Sequence, residues 1–305
     1  MTAAPASVTV VSGECVATLA LRGGGPSRLT WRGQELLEGY AGPDQQVTAP
    51  LSANVVLAPW PNRTRDGAFD FDGQRHRLGI TEPGRATALH GFVSDREWTV
   101  VEHRADAVCL VVEPGPQPGW PWPIHLSVAY RITGRGLRAN LTLRNDGTAD
   151  MPAACGFHLY PSALGAPTDT CSLAVPDHLH LPLDGRGLPC GEQQEDVDIL
   201  PHLVNPLAGR VLDHCLWTDD PQFTLSRPDG AGVVLSTSPE LRWFQIFTPD
   251  VRTGMPYPGR PGGRAVAVEP MTTPPDALNS GAGLARLPPG QCLTCSWHLD
   301  VLVPH

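Results

Sequence analysis

Apolar and polar residues alternate along most of the chain with a period of two. Ala6–Val11, Cys15–Leu21 and Ser27–Trp31 each place successive side chains on opposite faces, the pattern of a half-buried strand. Turn chemistry separates them: Ser-Gly-Glu after the first run, Gly23-Gly24-Gly25-Pro26 after the second. Phe69-Asp-Phe-Asp-Gly73 predicts a strand entering an Asp-Gly hairpin turn. Trp98–Glu102, Ala107–Glu113, Ile124–Thr133 and Leu137–Asn145 continue the pattern, with Thr133-Gly-Arg-Gly136 as a second hairpin link. Phe223–Ser226, Gly232–Ser236, Trp243–Thr248, Ala265–Glu269 and Cys292–Val303 complete the set. No 12-residue stretch has a 3.6-residue apolar period with caps. Many short strands at close spacing predict an all-β fold, a sandwich or barrel of antiparallel strands. No linker or compositional break divides residues 1–305, so one large domain is expected.

Composition changes this picture little. The chain has 305 residues, 41% hydrophobic and 17% charged, enough for a large core. Its 32 Gly and 33 Pro are dispersed and read as turn punctuation rather than disorder. A net charge of −9 argues against nucleic acid or an anionic membrane as a partner. No apolar run reaches membrane-spanning length, and the N-terminal MTAAPASVTVVSGE lacks the features of a signal peptide, so a cytoplasmic protein is expected. Eight cysteines at irregular spacing are then expected to be reduced. Cys292-Leu-Thr-Cys295 lies in a strand pattern without a second CxxC and is read as structural. The acidic stretch from Leu183 to Leu200 is read as an exposed loop.

Chemistry concentrates in a few places. The alternation of Ala265–Glu269 puts Val266 and Val268 on one face, and Ala265, Ala267 and Glu269 on the other. The strand is expected to stop at Pro270, leaving Glu269 as a pocket carboxylate above a low alanine floor. Leu57-Ala-Pro-Trp-Pro-Asn-Arg-Thr-Arg-Asp-Gly67 holds Arg63 and Arg65 on a rigid turn with Asn62, and an arginine fork suits hydroxyl and carboxylate oxygens. His90 stands before Gly91 at the end of a strand. In Cys155-Gly-Phe-His-Leu-Tyr-Pro161, alternation assigns Gly156, His158 and Tyr160 to a site face, and Cys155, Phe157 and Leu159 to the core. Asp213 and His214 follow an apolar pair. Of the indoles in Gly119-Trp-Pro-Trp-Pro123, one is expected in the core and Trp122 at the rim, where it stacks on a ligand ring. The histidines are expected to lack metal-ligand spacing, with no HExxH run, so no metal site is anticipated. No GxSxG or P-loop is present.

Taken in chain order, these strings resemble the aldose 1-epimerase (mutarotase) family. They are LAPWPNR-x-x-DG at Leu57–Gly67, Leu-His-Gly at Leu89–Gly91, Phe157-His158-x-Tyr160, Leu212-Asp213-His214, the Trp243–Thr248 strand, and VEPM-T-x-PP-x-A at Val268–Ala277. The family branch with LAPWPNR and VEPMT strings is the most similar. Leu159 stands where that branch often has proline, and Thr64 where a branched aliphatic is more usual. The resemblance implies a one-domain galactose mutarotase-like β-sandwich with an open polar cleft. It implies that Glu269 is a general base for the C1 hydroxyl of a sugar and His158 a general acid for the ring oxygen. His90, Arg63 and Asp213 match groups that hold ring and hydroxyl oxygens. Asn62, Tyr160 and Trp122 complete the expected substrate-binding set. The substrate expected is a small molecule, a monosaccharide, interconverted between α- and β-anomers without cofactor or metal. Two other readings remain open at this stage. One repurposes the His/Glu pair for elimination or conjugate addition on a non-sugar carbonyl compound; the other is a sugar-binding protein without catalysis. The Gly254–Gly263 loop is expected to narrow or reshape the cleft.

Overall fold

A computed structural model describes residues 6–40, 48–195 and 198–304. The first residues of the stretch read as lacking a signal peptide lie outside these. Antiparallel strands dominate, with one four-residue α-helix, Ala277–Ser280, among the described residues. The expected strands form within a residue or two of their predicted bounds. The hairpin turn at Asp72-Gly73 has positive φ at both positions (50° and 73°), the left-handed pair that an Asp-Gly turn supplies cheaply. It joins Ala68–Phe71 to Gln74–Arg77.

Two large sheets form a sandwich. The first has nine strands in the order Thr99–His103, Ala107–Val112, Ile124–Ile132, Gly136–Asn145, Cys292–Leu302, Gly232–Thr237, Gln222–Ser226, Ser172–Ala174 and Leu203–Val204. Its centre is the eleven-residue strand Cys292–Leu302, whose buried residues Cys295, Trp297, Leu299 and Val301 recur every second position. The second sheet has six strands: Leu179–Leu181, Asp213–Trp217, Trp243–Phe247, Ala267–Met271, Gly156–Phe157 and Val56–Leu57. A four-stranded sheet, Ser7–Ser12 through Gln34–Glu35, adds the N-terminal segment. One apolar cluster runs from Val10 to Val301 and takes in Phe157 and Val268 from the six-stranded sheet, with Leu159 and Val266 just beyond its strands. That sheet therefore buries one face in the shared core and leaves the other free to carry polar residues. The eight cysteines are free thiols.

Two expectations for the Ala265–Glu269 stretch need correcting. The strand runs from Ala267 through Pro270 to Met271. The alanines do not floor a pocket, because Ala265 and Ala267 are fully buried against Tyr160 and Tyr257. The small side chains make room for two phenol rings, not for a ligand.

Candidate active site

The polar face of the six-stranded sheet carries a row of functional side chains set by strand register. Gln245 pairs with Glu269 on one side. On the other, Gly156 pairs with Met271 and Leu159 bridges Val268, a register that brings His158 opposite Glu269. Directly opposed residues on one face are near neighbours. Accordingly, His158 Nε2 lies 3.3 Å from Glu269 Oε1. The row lies in a cleft of about 530 Å³, which Arg63, Glu82, Arg85, His90 and Asp213 also line.

His158 is held from behind. Its ring stacks on Tyr160 at 5.2 Å and 22°. Its peptide N–H donates to Val55 O and its carbonyl accepts from Asn54 N. Burial and the Arg63 guanidinium both disfavour an imidazolium here, and burial is the larger cause, pushing His158 down to about 3. Burial, helped by the Asp213 carboxylate, pushes Glu269 well above the usual carboxylate range against the opposing pull of Arg63. Both directions have the same origin: two charges are costly in a site that water barely enters. The pair is therefore arranged to hold a single proton between a carboxyl and an imidazole. Glu269 Oε2 has no hydrogen-bond partner among the described residues.

His90 directly follows the small two-stranded sheet of Arg63–Arg65 and Thr87–Leu89. Its ring packs edge-on to His158 at 5.4 Å and 74°. Gly91 follows with φ +70°, and a Cβ there would stand 1.9 Å from Ala58 O, so the His-Gly sequence has a steric reason. Arg63 reaches the cleft but is already engaged. Its Nε and a terminal nitrogen donate to the two Glu82 oxygens at 2.7 and 3.0 Å. Asn62 is buried, donates to Gln245 Oε1 at 3.2 Å and accepts from Arg63 N at 2.9 Å. Gln245 in turn donates to Asp213 Oδ1 at 2.6 Å. Asp213 is thus one end of a chain of hydrogen bonds running through Gln245 and Asn62 to Arg63.

The structure brings together Glu269, His158, His90, Arg63, Asp213 and Asn62, and separates two of the expected residues from them. Tyr160 is fully buried beneath His158, with its hydroxyl donating to Leu51 O at 3.3 Å. It supports the ring and does not face the cleft. Trp122 lies elsewhere, packed with Phe71, His76 and Trp120 beside a different depression of the surface. Neither indole of Gly119–Pro123 is at the rim of the cleft, because Trp120 is itself enclosed by Trp60, Phe69 and Phe92. Arg65 turns to Asp276, which accepts from both its backbone and side chain.

Among the polar cleft residues, Gln245, Glu82 and Arg85 escape the sequence reading. Gln245 stands inside the quoted Trp243–Thr248 string, where alternation alone marks it as a polar residue on the face of Glu269. Arg85 lies on a single 3₁₀ turn, Pro83–Arg85, with no pattern to signal it. Its guanidinium sits 3.6 Å from Glu82 and 3.8 Å from Asp213. The Gly254–Gly263 loop contributes Met255 to the cleft. The loop is anchored at two points, with Tyr257 buried against Tyr160 and Arg260 paired with Glu38 and bonded to Ser162. The acidic stretch after Leu183 is only partly exposed. Leu188 and Leu200 are fully buried, and Gly185 reaches the cleft wall.

The expectation that histidines lack metal-ligand spacing also needs correction. His178 and His180 stand two apart at the sheet edge, with rings near His202 and His214 respectively. Among the described residues, only His90–His158–Glu269 and the exposed Glu113–His125–Asp146 bring three ligand atoms within 4.8 Å of one another.

A family model for aldose 1-epimerase matches residues 7–298. Escherichia coli K12 has a relative, the uncharacterized protein YihR, 28% identical over 291 residues, which cover 93% of this chain and 90% of YihR. A putative aldose 1-epimerase structure from Escherichia coli K12 superposes with a TM-score of 0.84 at 22% identity, covering 99% of this chain and all of that one. The aldose epimerase homologue of C. elegans gives a TM-score of 0.85 at 18% identity, with 99% and 100% coverage. Those likenesses place the sandwich among galactose mutarotase-like folds. The match across nearly the whole chain goes further: this chain belongs to the aldose 1-epimerase family and is an isomerase of the epimerase type.

Proposed function

We propose that the protein interconverts the α- and β-anomers of a free aldose by opening and closing the sugar ring, with Glu269 and His158 as the acid/base pair. The observation that carries this reading is the buried His158 Nε2–Glu269 Oε1 approach of 3.3 Å in a polar cleft of about 530 Å³. Ring opening removes the proton of the C1 hydroxyl and delivers one to the ring oxygen, two atoms bonded to the same carbon. A neighbouring carboxylate and imidazolium span that distance. Glu269, as carboxylate, takes the hydroxyl proton; the C1–ring oxygen bond breaks; His158, as imidazolium, protonates the ring oxygen. The pair is then Glu269 carboxyl and neutral His158, the state that desolvation favours. Rotation about C1–C2 presents the other carbonyl face, and the reverse transfers close the ring as the other anomer. Proton count is conserved throughout. The chain's own residues account for both transfers, each a step to which a positioned acid or base contributes on the order of 10²–10⁴-fold.

Asp213, Gln245, Asn62 and Arg63 supply a preorganised set of donors and acceptors for sugar hydroxyls, because each is already fixed by another member. The reading as a carbonyl-compound lyase finds no support in this polar lining. Exchange-transfer NMR across a panel of aldoses tests the assignment. Wild type is expected to accelerate anomer exchange of at least one sugar over buffer, and Glu269→Gln to lose about 10²-fold or more of that rate while still binding. No acceleration with any aldose or 6-substituted aldose would sink it.

A further inference from the structure

We propose that the protein carries a site for a divalent transition-metal ion away from the catalytic cleft, built on His178 and His202 where the outer edges of the two large sheets meet. The site does not depend on which substrate the cleft takes.

The course of the chain sets the place. Ser172–Ala174 lies near one end of the nine-stranded sheet, and Leu179–Leu181 is an end strand of the six-stranded sheet. The segment between them, Val175 to His178, therefore crosses from one sheet to the other. His202 immediately precedes Leu203–Val204, the end strand of the nine-stranded sheet, and its carbonyl accepts from Val175 N at 2.8 Å. Two histidines from separate segments are thus brought together, with ring centres 5.6 Å apart and planes inclined at 69°. They line a cavity of about 550 Å³ together with the carboxylates of Asp177, Glu195, Asp219 and Asp220. This cavity is as large as the catalytic cleft and shares no lining residue with it.

His178 is prepared as a ligand. It is 8% exposed, and its Nδ1 lies 2.8 Å from Pro176 O, an atom that can only accept. The proton therefore sits on Nδ1 and leaves a lone pair on Nε2. That Nε2 is buried and has no hydrogen-bond partner among the described residues. An acceptor left unpaired in a protein interior is costly and calls for a use. A carbonyl or carboxylate behind one ring nitrogen, with a bare lone pair on the other, is the arrangement of a metal-bound imidazole. His202 repeats it at the surface. Its Nδ1 lies 3.6 Å from Asp177 Oδ1, and that carboxylate favours the proton on Nδ1. Zn–N bonds of about 2.0–2.1 Å at a tetrahedral angle put two such ring centres about 5–6 Å apart across one ion, the spacing seen here.

Charge points the same way. No arginine among the described residues lines the cavity. Arg242 pairs with Asp219 at 2.6 Å, and Asp177 stands behind His202, which leaves Glu195 and Asp220 at the exposed rim to complete the coordination with water. Excess negative charge attracts a cation, and paired imidazoles select a transition ion over calcium or magnesium, which take oxygen ligands. The chain between the two histidines includes Gly185, part of the catalytic cleft wall. An ion held by both closes this loop at its base, a constraint that stabilises the folded chain.

Calorimetric titration of the chelator-treated, untagged protein with Zn²⁺ tests the site. Expected is saturable binding that His178→Gln and His202→Gln each weaken about tenfold or more. His202 is half-exposed, so its variant reads the site even where the buried His178 variant fails to fold. Zn²⁺ is also expected to slow cleavage at the exposed Glu192 by a glutamate-specific protease several-fold in wild type, and not in His202→Gln. No saturable binding would overturn the proposal. So would binding that His202→Gln leaves unchanged, which would put the ion elsewhere, for instance on His90, His158 and Glu269.

Discussion

Glu269 and His158 share one physical problem, which is that neither can carry a charge alone where it sits. The folded protein holds His158 near 3 and Glu269 above the ordinary carboxylate range, so the pair keeps one proton over a wide interval. The acid limb of the rate profile begins where His158 gains a proton while Glu269 is still neutral, near pH 3, and there the base is lost. The alkaline limb begins where the pair gives up its single proton and the acid is lost. A broad plateau of kcat/KM through neutral pH is expected, without a step near 6.5, and a stopped-flow pH series would show it. Stability carries a matching signature. Between pH 6.5 and about 3 an unfolded His158 binds a proton that the native one refuses, so stability falls as pH drops through that window. For Glu269 the sign is opposite: the native state holds a proton that the unfolded chain releases above about 4.5, so stability falls as pH rises toward its folded value. Denaturant midpoints of His158→Gln are expected to lose the acid-side slope, which is at most about 1.4 kcal/mol per pH unit for one group.

At the scale of elements, the loop after Leu183 shows how the cleft is walled. Arg186 donates to Asp66 at 2.7 Å, to Arg85 O at 2.8 Å and to Ala86 O at 3.0 Å, and so clasps one loop to another. Gly187, at φ +70°, lies so close to Arg63 and Arg85 that a Cβ would stand 2.6 Å from an Arg85 nitrogen. Arg186→Ala is expected to raise KM several-fold with kcat within about twofold, since the wall it holds touches neither proton-transfer group; steady-state kinetics on the best aldose would check this. None of that wall was legible beforehand. Long strands such as Ile124–Ile132 announce themselves, because nine residues give alternation enough repeats to stand out. Val56–Leu57 and Gly156–Phe157 have two residues each, and His158 lies just beyond the second of them. His158 and Glu269 were readable as a polar face and an acid after apolar residues, and their family strings gave the roles. Their facing one another depends on strand register between residues far apart in the chain, which no local pattern encodes. Trp122 misled because an indole in a Gly/Pro turn suits a sugar platform and an aromatic cluster equally well.

The whole molecule presents a division of labour between its faces. The apolar cluster from Val10 to Val301 joins strands from both ends of the chain, and the central strand Cys292–Leu302 pairs with Gly136–Asn145 on one side and Gly232–Thr237 on the other. The C-terminal strand is therefore needed before the nine-stranded sheet can be continuous. We propose on this ground that the described residues form one folding unit. Trp297 reports on the centre of that sheet, and Trp60 and Trp120 on the aromatic cluster near the small hairpin. Urea unfolding followed by tryptophan fluorescence and by far-ultraviolet circular dichroism is expected to give coincident single transitions. Two separated transitions would show that the sheets unfold independently. Because His158 and Glu269 lie on one sheet while the core beneath them is shared with the other, loss of activity in urea is expected to coincide with the global transition rather than precede it.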